Sequence, residues 1–190
     1  MKNKKFMQKI CMLLVAAAAL WGCKENVDTS ARYVFKYDTI LSYLEEHEDY
    51  STFVDLMKDV KISFMSESTV GQLMSARGHY TCFAPTNNAI QEYLDTLYKE
   101  DPTLLSAPSF DAFYDEHKLD SIKRVIVCNS IIDSEMSEAY ETANFPELDK
   151  AEFPLANLND RKLTIHRPAN HPDSLYINDV CAISSTERDI

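Results

Sequence analysis

Tyr80-Thr-Cys-Phe-Ala-Pro-Thr-Asn-Asn-Ala-Ile-Gln-Glu-Tyr-Leu94 holds a strand, a hard turn and a capped amphipathic helix within fifteen residues. Tyr80 to Phe83 is short, aromatic and β-favouring. Gly78 provides a turn into this strand, which is expected over His79 to Ala84. Pro85 has no N–H and pushes Ala84 out of the helical region, so the strand must stop there. Thr86 is placed as an N-cap, its hydroxyl accepting from the N–H of Asn88 or Ala89. Ile90, Tyr93, Leu94, Leu97 and Tyr98 then recur at helical spacing and form one apolar face. Thr86 and Asn87 are expected to act as cap and corner residues that set the start of a core helix, ahead of any role in binding.

The chain begins with a targeting pattern. Lys2, Lys4, Lys5 and Lys9 make a basic start, and Ile10 to Trp21 is an apolar run of twelve residues. A bilayer span takes roughly 20 apolar residues, so the run fits a signal-peptide core over residues 1–22 rather than a stable transmembrane helix. It ends Leu20-Trp21-Gly22-Cys23, which resembles a bacterial lipobox. That chemistry uses a small residue at the cleavage point and a thiol to take the diacylglyceryl group, and Trp21 is bulkier than usual there. An ordinary signal peptide that happens to contain Cys23 is the bland alternative. Residues 23–37 then form the lipidated Cys and a tether. Lys24 to Ser30 alone reach at most about 25 Å when extended. Lys24-Glu25 resembles the Lys-plus-acid export signal of some surface lipoproteins of the Bacteroides group.

The full chain carries a formal charge of −11, and loss of four lysines and no acids on cleavage takes it to −15. Nucleic-acid binding relies on basic residues, so this balance argues against it. An anionic membrane surface should repel the molecule as a whole, which leaves anchoring to the lipid on Cys23.

Residues 38–190 are one domain's worth, enough to bury a core. Ile40, Leu41 and Leu44 predict a short helix ending near His47. Tyr50, Phe53, Val54, Met57 and Val60 predict a second helix, with the acidic residues outside it. The cluster Glu45, Glu46, Glu48 and Asp49 lacks the spacing and glycine turn of a calcium loop. Val70, Leu73 and Met74 form another apolar patch. Leu119, Ile122, Val125, Ile126 and Asn129 predict a long helix. Lys162 to Arg167 and Ser174 to Asn178 alternate around a turn-rich link, which predicts an antiparallel hairpin. Helices that precede and interrupt an antiparallel sheet make the expected fold class α+β.

The 80–94 run resembles the first signature of the fasciclin-like (FAS1) domain, in Phe83, Ala84, Pro85, Thr86 and Asn87. The early helix pair resembles the opening of that domain. The hairpin, Asn178-Asp179 and Asp189-Ile190 resemble its second signature. The resemblance spans roughly residues 38–190 and implies an α+β wedge of antiparallel strands with helices packed on it. It also implies an extracellular adhesion or binding module rather than an enzyme, here a lipoprotein of the Bacteroides type. Two departures stand out. Many adhesion-type members carry Tyr-His where this chain has Cys128-Asn129, so integrin-type adhesion is not carried over. The family's Asp-Ile segment leads into a last core strand, whereas this sequence stops at Ile190. The expectation is therefore truncation before that strand.

Asp101 to His117 is longer than the corresponding FAS1 link and is expected to be an insertion with one helical turn. Its aromatics Phe110, Phe113 and Tyr114 are the candidate contacts, because rings stack on sugars and anchor interfaces. Core packing is the competing role. The partners expected are the lipid bilayer, through acylated Cys23, and a glycan or cell-surface protein. An outer-membrane, surface-exposed location is expected, with an accessory role in nutrient uptake. No catalytic residue, metal site or cofactor is expected. After the signal only Gly71 and Gly78 remain, too few for a phosphate-cradling loop, and no Gly-x-Ser-x-Gly elbow or His-Glu-x-x-His helix occurs. His166 and His171 flank Pro168 without zinc spacing. Cys82, Cys128 and Cys181 lie in apolar contexts and read as buried thiols. The alternatives are an envelope hydrolase without a familiar motif, and a structural or nonfunctional truncated lipoprotein.

Overall fold

The structure, a computed structural model, describes residues 38–134, 151–166, 175–178 and 181–182. Cys23, the signal segment, the tether, His171 and Asp189-Ile190 lie outside the described residues.

Among the described residues five helices carry the first half: α1 (Ile40–Glu45), α2 (Ser51–Asp59), α3 (Val70–Ser75), α4 (Asn87–Glu100) and α5 (Glu116–Asn129). A short 3-10 turn, Glu48–Tyr50, leads into α2. Threonines start three of the helices. Thr39 and Thr69 form reciprocal capping boxes with Ser42 and Gln72, and the Thr86 hydroxyl accepts from the Ala89 N–H at 3.3 Å. Asp115 caps α5 by accepting from the His117 N–H at 2.9 Å.

Six strands follow one antiparallel plan: β1 (Tyr80–Cys82), β2 (Ile131–Asp133), β3 (Ala151–Ala156), β4 (Lys162–His166), β5 (Tyr176–Ile177) and β6 (Cys181–Ala182). β1 pairs with β2, and β3 to β6 form a four-stranded meander in chain order. The two sheets meet through an Ile132–Asn157 bridge and a Leu158 N–H bond to the Ile131 carbonyl at 2.9 Å. The fold is α+β, as expected from the sequence.

β2 separates two cores. Ile131 joins the helical core with Phe53, Met57, Val70, Met74, Ile90, Leu94 and Val127. Ile132, the next residue, joins Phe153, Leu163, Ile165, Leu175 and Ile177 in a second core built on the sheet. Successive strand side chains point to opposite faces, so two consecutive isoleucines serve two cores. The run at 80–94 repeats the device: Phe83 packs on the sheet core and Ala84 on the helical one. Gly71 lets α3 approach α2, because a Cβ there would stand 3.2 Å from the Met57 carbonyl oxygen.

The expected hairpin is present, with Ile165 opposite Ile177 and His166 opposite Tyr176. The strand at 80 is shorter than expected, since only Tyr80–Cys82 pairs. Asn178 turns β5 into β6 with φ of 53°, a conformation that asparagine tolerates better than most residues, and its side chain accepts from the Thr164 N–H at 2.9 Å.

Candidate functional site

The segment between α4 and α5 is a closed loop with the single turn expected, a 3-10 turn at Phe110–Ala112. Leu105 bridges Phe113, the Ser106 N–H donates to the Ala112 carbonyl at 2.8 Å, and the Tyr114 N–H donates to the Leu104 carbonyl at 3.1 Å. The Gln91 amide on α4 donates to the Pro108 carbonyl at 2.9 Å. This pairing turns the apolar side of the loop inward. Leu105 is fully buried, and Phe110 and Phe113 pack against the helical core. The three aromatics therefore do not form one exposed platform. Tyr114 alone stands out, 68% exposed. At the start of the loop, hydrogen bonds from the Thr103 hydroxyl and N–H hold the Asp101 carboxyl below its ordinary range.

A second feature, between α2 and α3, has no periodic signal in the sequence. Residues 60–70 close into a tight loop. The Val70 N–H donates to the Val60 carbonyl at 2.8 Å, the Ile62 N–H to the Ser68 carbonyl at 2.9 Å, and the Ser66 N–H to the Ser63 carbonyl at 3.2 Å. Phe64 and Met65 form its tip, 94% and 97% exposed. Arg124 on α5 braces it from below. Its guanidinium donates to the Lys61 and Ile62 carbonyls at 2.8 and 3.2 Å and lies 5.3 Å from the centre of the Phe64 ring, within cation–π range. Lys61 pairs with Glu67 at 3.0 Å and Lys123 with Asp59 at 2.6 Å. The available clue was compositional: two large apolar residues side by side in the serine-rich run Ser63-Phe-Met-Ser-Glu-Ser68.

Asn87 has its side chain committed to the frame. Its Oδ1 accepts from the Thr52 N–H at 2.9 Å, and its Nδ2 donates to the Glu48 carbonyl at 2.9 Å and the Ser51 hydroxyl at 3.0 Å. Glu45 pairs with Lys58 at 2.6 Å. Among the described residues, no three His, Cys, Asp or Glu side chains gather as metal ligands, and no helix is long and apolar enough to cross a membrane. Cys82 and Cys128 are free thiols; Cys128 is buried as expected, whereas Cys82 is only partly buried. Burial pushes Cys82 up to about 12 and raises Cys128, on which Arg124 acts in the opposite direction. The side chain of Cys181 lies outside the described residues.

No protein-family model and no curated protein matches this chain.

Proposed function

We propose that this chain is a lipid-anchored binding module of the fasciclin-like type. It is held at the outer membrane through acylated Cys23 and presents its α+β domain to a glycan or protein partner, as an accessory to nutrient uptake or attachment. The tetrapeptide Leu20-Trp21-Gly22-Cys23, at the end of a short apolar run and before a charged tether, carries the reading. A domain tied to a membrane by lipid is free to turn its surface outward. Tyr114 is the contact we assign on the loop between α4 and α5, because its ring is exposed while its backbone is fixed by the Leu104 carbonyl. Phe110 and Phe113 support that loop from within.

The experiment has two arms. Cells are labelled with a palmitate analogue, expecting incorporation by the natural chain and none by Cys23→Ala. Purified protein is then screened against glycans and surface-protein extracts, with Tyr114→Ala as the control. Tyr114→Ala is a cleaner probe than Phe113→Ala, which would also loosen the core. An unlabelled natural chain removes the anchor. Capture by Tyr114→Ala equal to that of the natural protein removes the loop contact.

A further inference from the structure

We propose that the Phe64–Met65 tip is a bilayer contact, a shallow second attachment that rests one end of the domain on the membrane. The geometry rests on the lipid-anchor reading above, and the chemistry rests on the loop itself.

Phe53, Met57 and Met74, on the helices that flank the loop, are fully buried or nearly so, while Phe64 and Met65 project almost completely into solvent. The tip is presented on a stiff support. Three backbone hydrogen bonds cross the loop, and Arg124 fixes its base through two carbonyls while its guanidinium lies by the Phe64 ring. Contact made by such a pre-ordered loop loses little conformational freedom.

Area selects a bilayer over a protein. A stable protein interface takes about 800 Å² from each partner. One aromatic side chain supplies about 200 Å², and the residues beside this pair, Ser63, Ser66, Glu67 and Ser68, are polar. The tip falls well short of an interface, for a second copy of this chain as for any other protein. A bilayer needs no matching shape, and its hold grows with each apolar group added to an existing anchor. Lys61, Lys123 and Arg124 stand at the base of the loop against Asp59 and Glu67, a local excess of one positive charge. The molecule as a whole is acidic, and at the loop Lys61 and Lys123 are neutralised by their partners while Arg124 faces the loop carbonyls. The tether from Lys24 to Tyr37 reaches up to about 50 Å when extended, enough for the domain to turn this end toward the membrane.

The test uses a chain starting at residue 23 with Cys23→Ser and an N-terminal hexahistidine tag, which a small fraction of nickel-chelating lipid holds on the vesicle in place of the acyl group. Every buried side chain of both cores lies between Leu44 and Ile177, so this chain contains the whole described core. It also lacks Trp21, the single tryptophan of the sequence. Phe64→Trp then gives one reporter at the tip. With zwitterionic phosphatidylethanolamine–phosphatidylcholine vesicles its emission should shift to the blue and be quenched by brominated acyl chains. In sedimentation at limiting nickel-chelating lipid the Phe64 chain should co-pellet more completely than Phe64→Ser/Met65→Ser, at unchanged circular dichroism. Emission that ignores vesicles overturns the proposal. So does a blue shift that appears on raising protein concentration without lipid, which would mean self-association. The acyl anchor is read separately by palmitate labelling, so either part can fail alone.

Discussion

Asn87 closes the start of a helix to which it does not belong. It is the first residue of α4, yet its Oδ1 takes the Thr52 N–H of α2 at 2.9 Å. The same amide donates to the Glu48 carbonyl and the Ser51 hydroxyl, across 39 and 36 residues of chain. One side chain thus acts as cap for one helix and clasp between two, while its neighbour Thr86 caps α4 itself. This gives the Pro-Thr-Asn run a structural reason that owes nothing to a ligand.

Replacing Asn87 with Ala should leave the Thr52 N–H and the Glu48 carbonyl without this partner. The expected loss is about 1–3 kcal/mol, or a fall of about 2–4 °C in Tm for each kcal/mol in a domain of this size. Thr86→Ala should cost about 1 kcal/mol through α4 alone, and Thr86→Ser much less. Chemical denaturation of the three variants checks the order. An Asn87→Ala midpoint equal to that of the natural chain would refute the clasp.

How legible these features were depends on how local their causes are. Thr86, Pro85 and the face from Ile90 to Leu97 act within a turn or two, so the sequence displays them. The partners of Asn87 sit on another helix, so only its role as a corner residue could be read. β2 is three residues long and joins directly to the apolar face of α5, which hides it. β3 contains Pro154 and a register irregularity between Glu152 and Ala156, against the usual strand pattern. Phe110 and Phe113 look exposed in a polar loop until the Leu105–Phe113 bridge folds them inward. Phe64 and Met65 owe their prominence to a loop closed by backbone bonds, for which no side-chain period exists.

Asn157 should be a second sensitive polar position. It is 4% exposed, and its Oδ1 accepts from the Asn159 and Arg161 N–H groups, both at 3.0 Å. Its Nδ2 donates to the Asn129 carbonyl at 3.2 Å, tying the β3–β4 turn to the end of α5. Asn157→Ala should cost about 2–4 kcal/mol, since buried donors and acceptors lose their partners at once. Thermal unfolding followed by circular dichroism measures it. A loss below that of Thr86→Ala would show that water replaces the amide without penalty.

The two thiols of the helical core predict base sensitivity. Cys82 in the unfolded chain ionises near 9.0, and in the folded chain it holds its proton to about 12. Between these values the unfolded state binds fewer protons, so stability falls as pH rises. The contribution is complete below 9.0 and is lost through about 12. Cys128 is raised by burial as well and acts in the same direction. Denaturation midpoints should therefore decline above pH 9, and less steeply for Cys82→Ala. Native thiol alkylation should stay slow at mildly alkaline pH and become rapid for both cysteines in denaturant.

Arg124→Lys should loosen the loop at 60–70 without unfolding the domain. Lysine keeps the charge but cannot reproduce a guanidinium that spans two carbonyls while lying beside Phe64. The local loss is about 1–2 kcal/mol, or roughly tenfold faster opening. Hydrogen exchange should accelerate at Ile62 and Ser66, whose N–H groups close the loop. Amides of α4 should keep their protection. Uniform acceleration would mean that Arg124 supports the whole core.

Met65 should be the first of the described methionines to oxidise. Met57 and Met74 are 0% and 1% exposed, whereas Met65 is 97% exposed. Hydrogen peroxide transfers one oxygen to the thioether and leaves as water, giving a polar sulfoxide. The reaction needs access to sulfur, so the buried pair should follow only once the fold opens. Peptide mapping by mass spectrometry should find the one-oxygen increment on the 62–69 segment long before it reaches α2 or α3, and Met65→Leu should abolish that early increment. Simultaneous oxidation of Met57 would contradict the packing of α2. The sulfoxide also places a polar group beside Phe64, so vesicle binding by the chain lacking its acyl group should fall as the increment rises. Methionine sulfoxide reductase should restore both together.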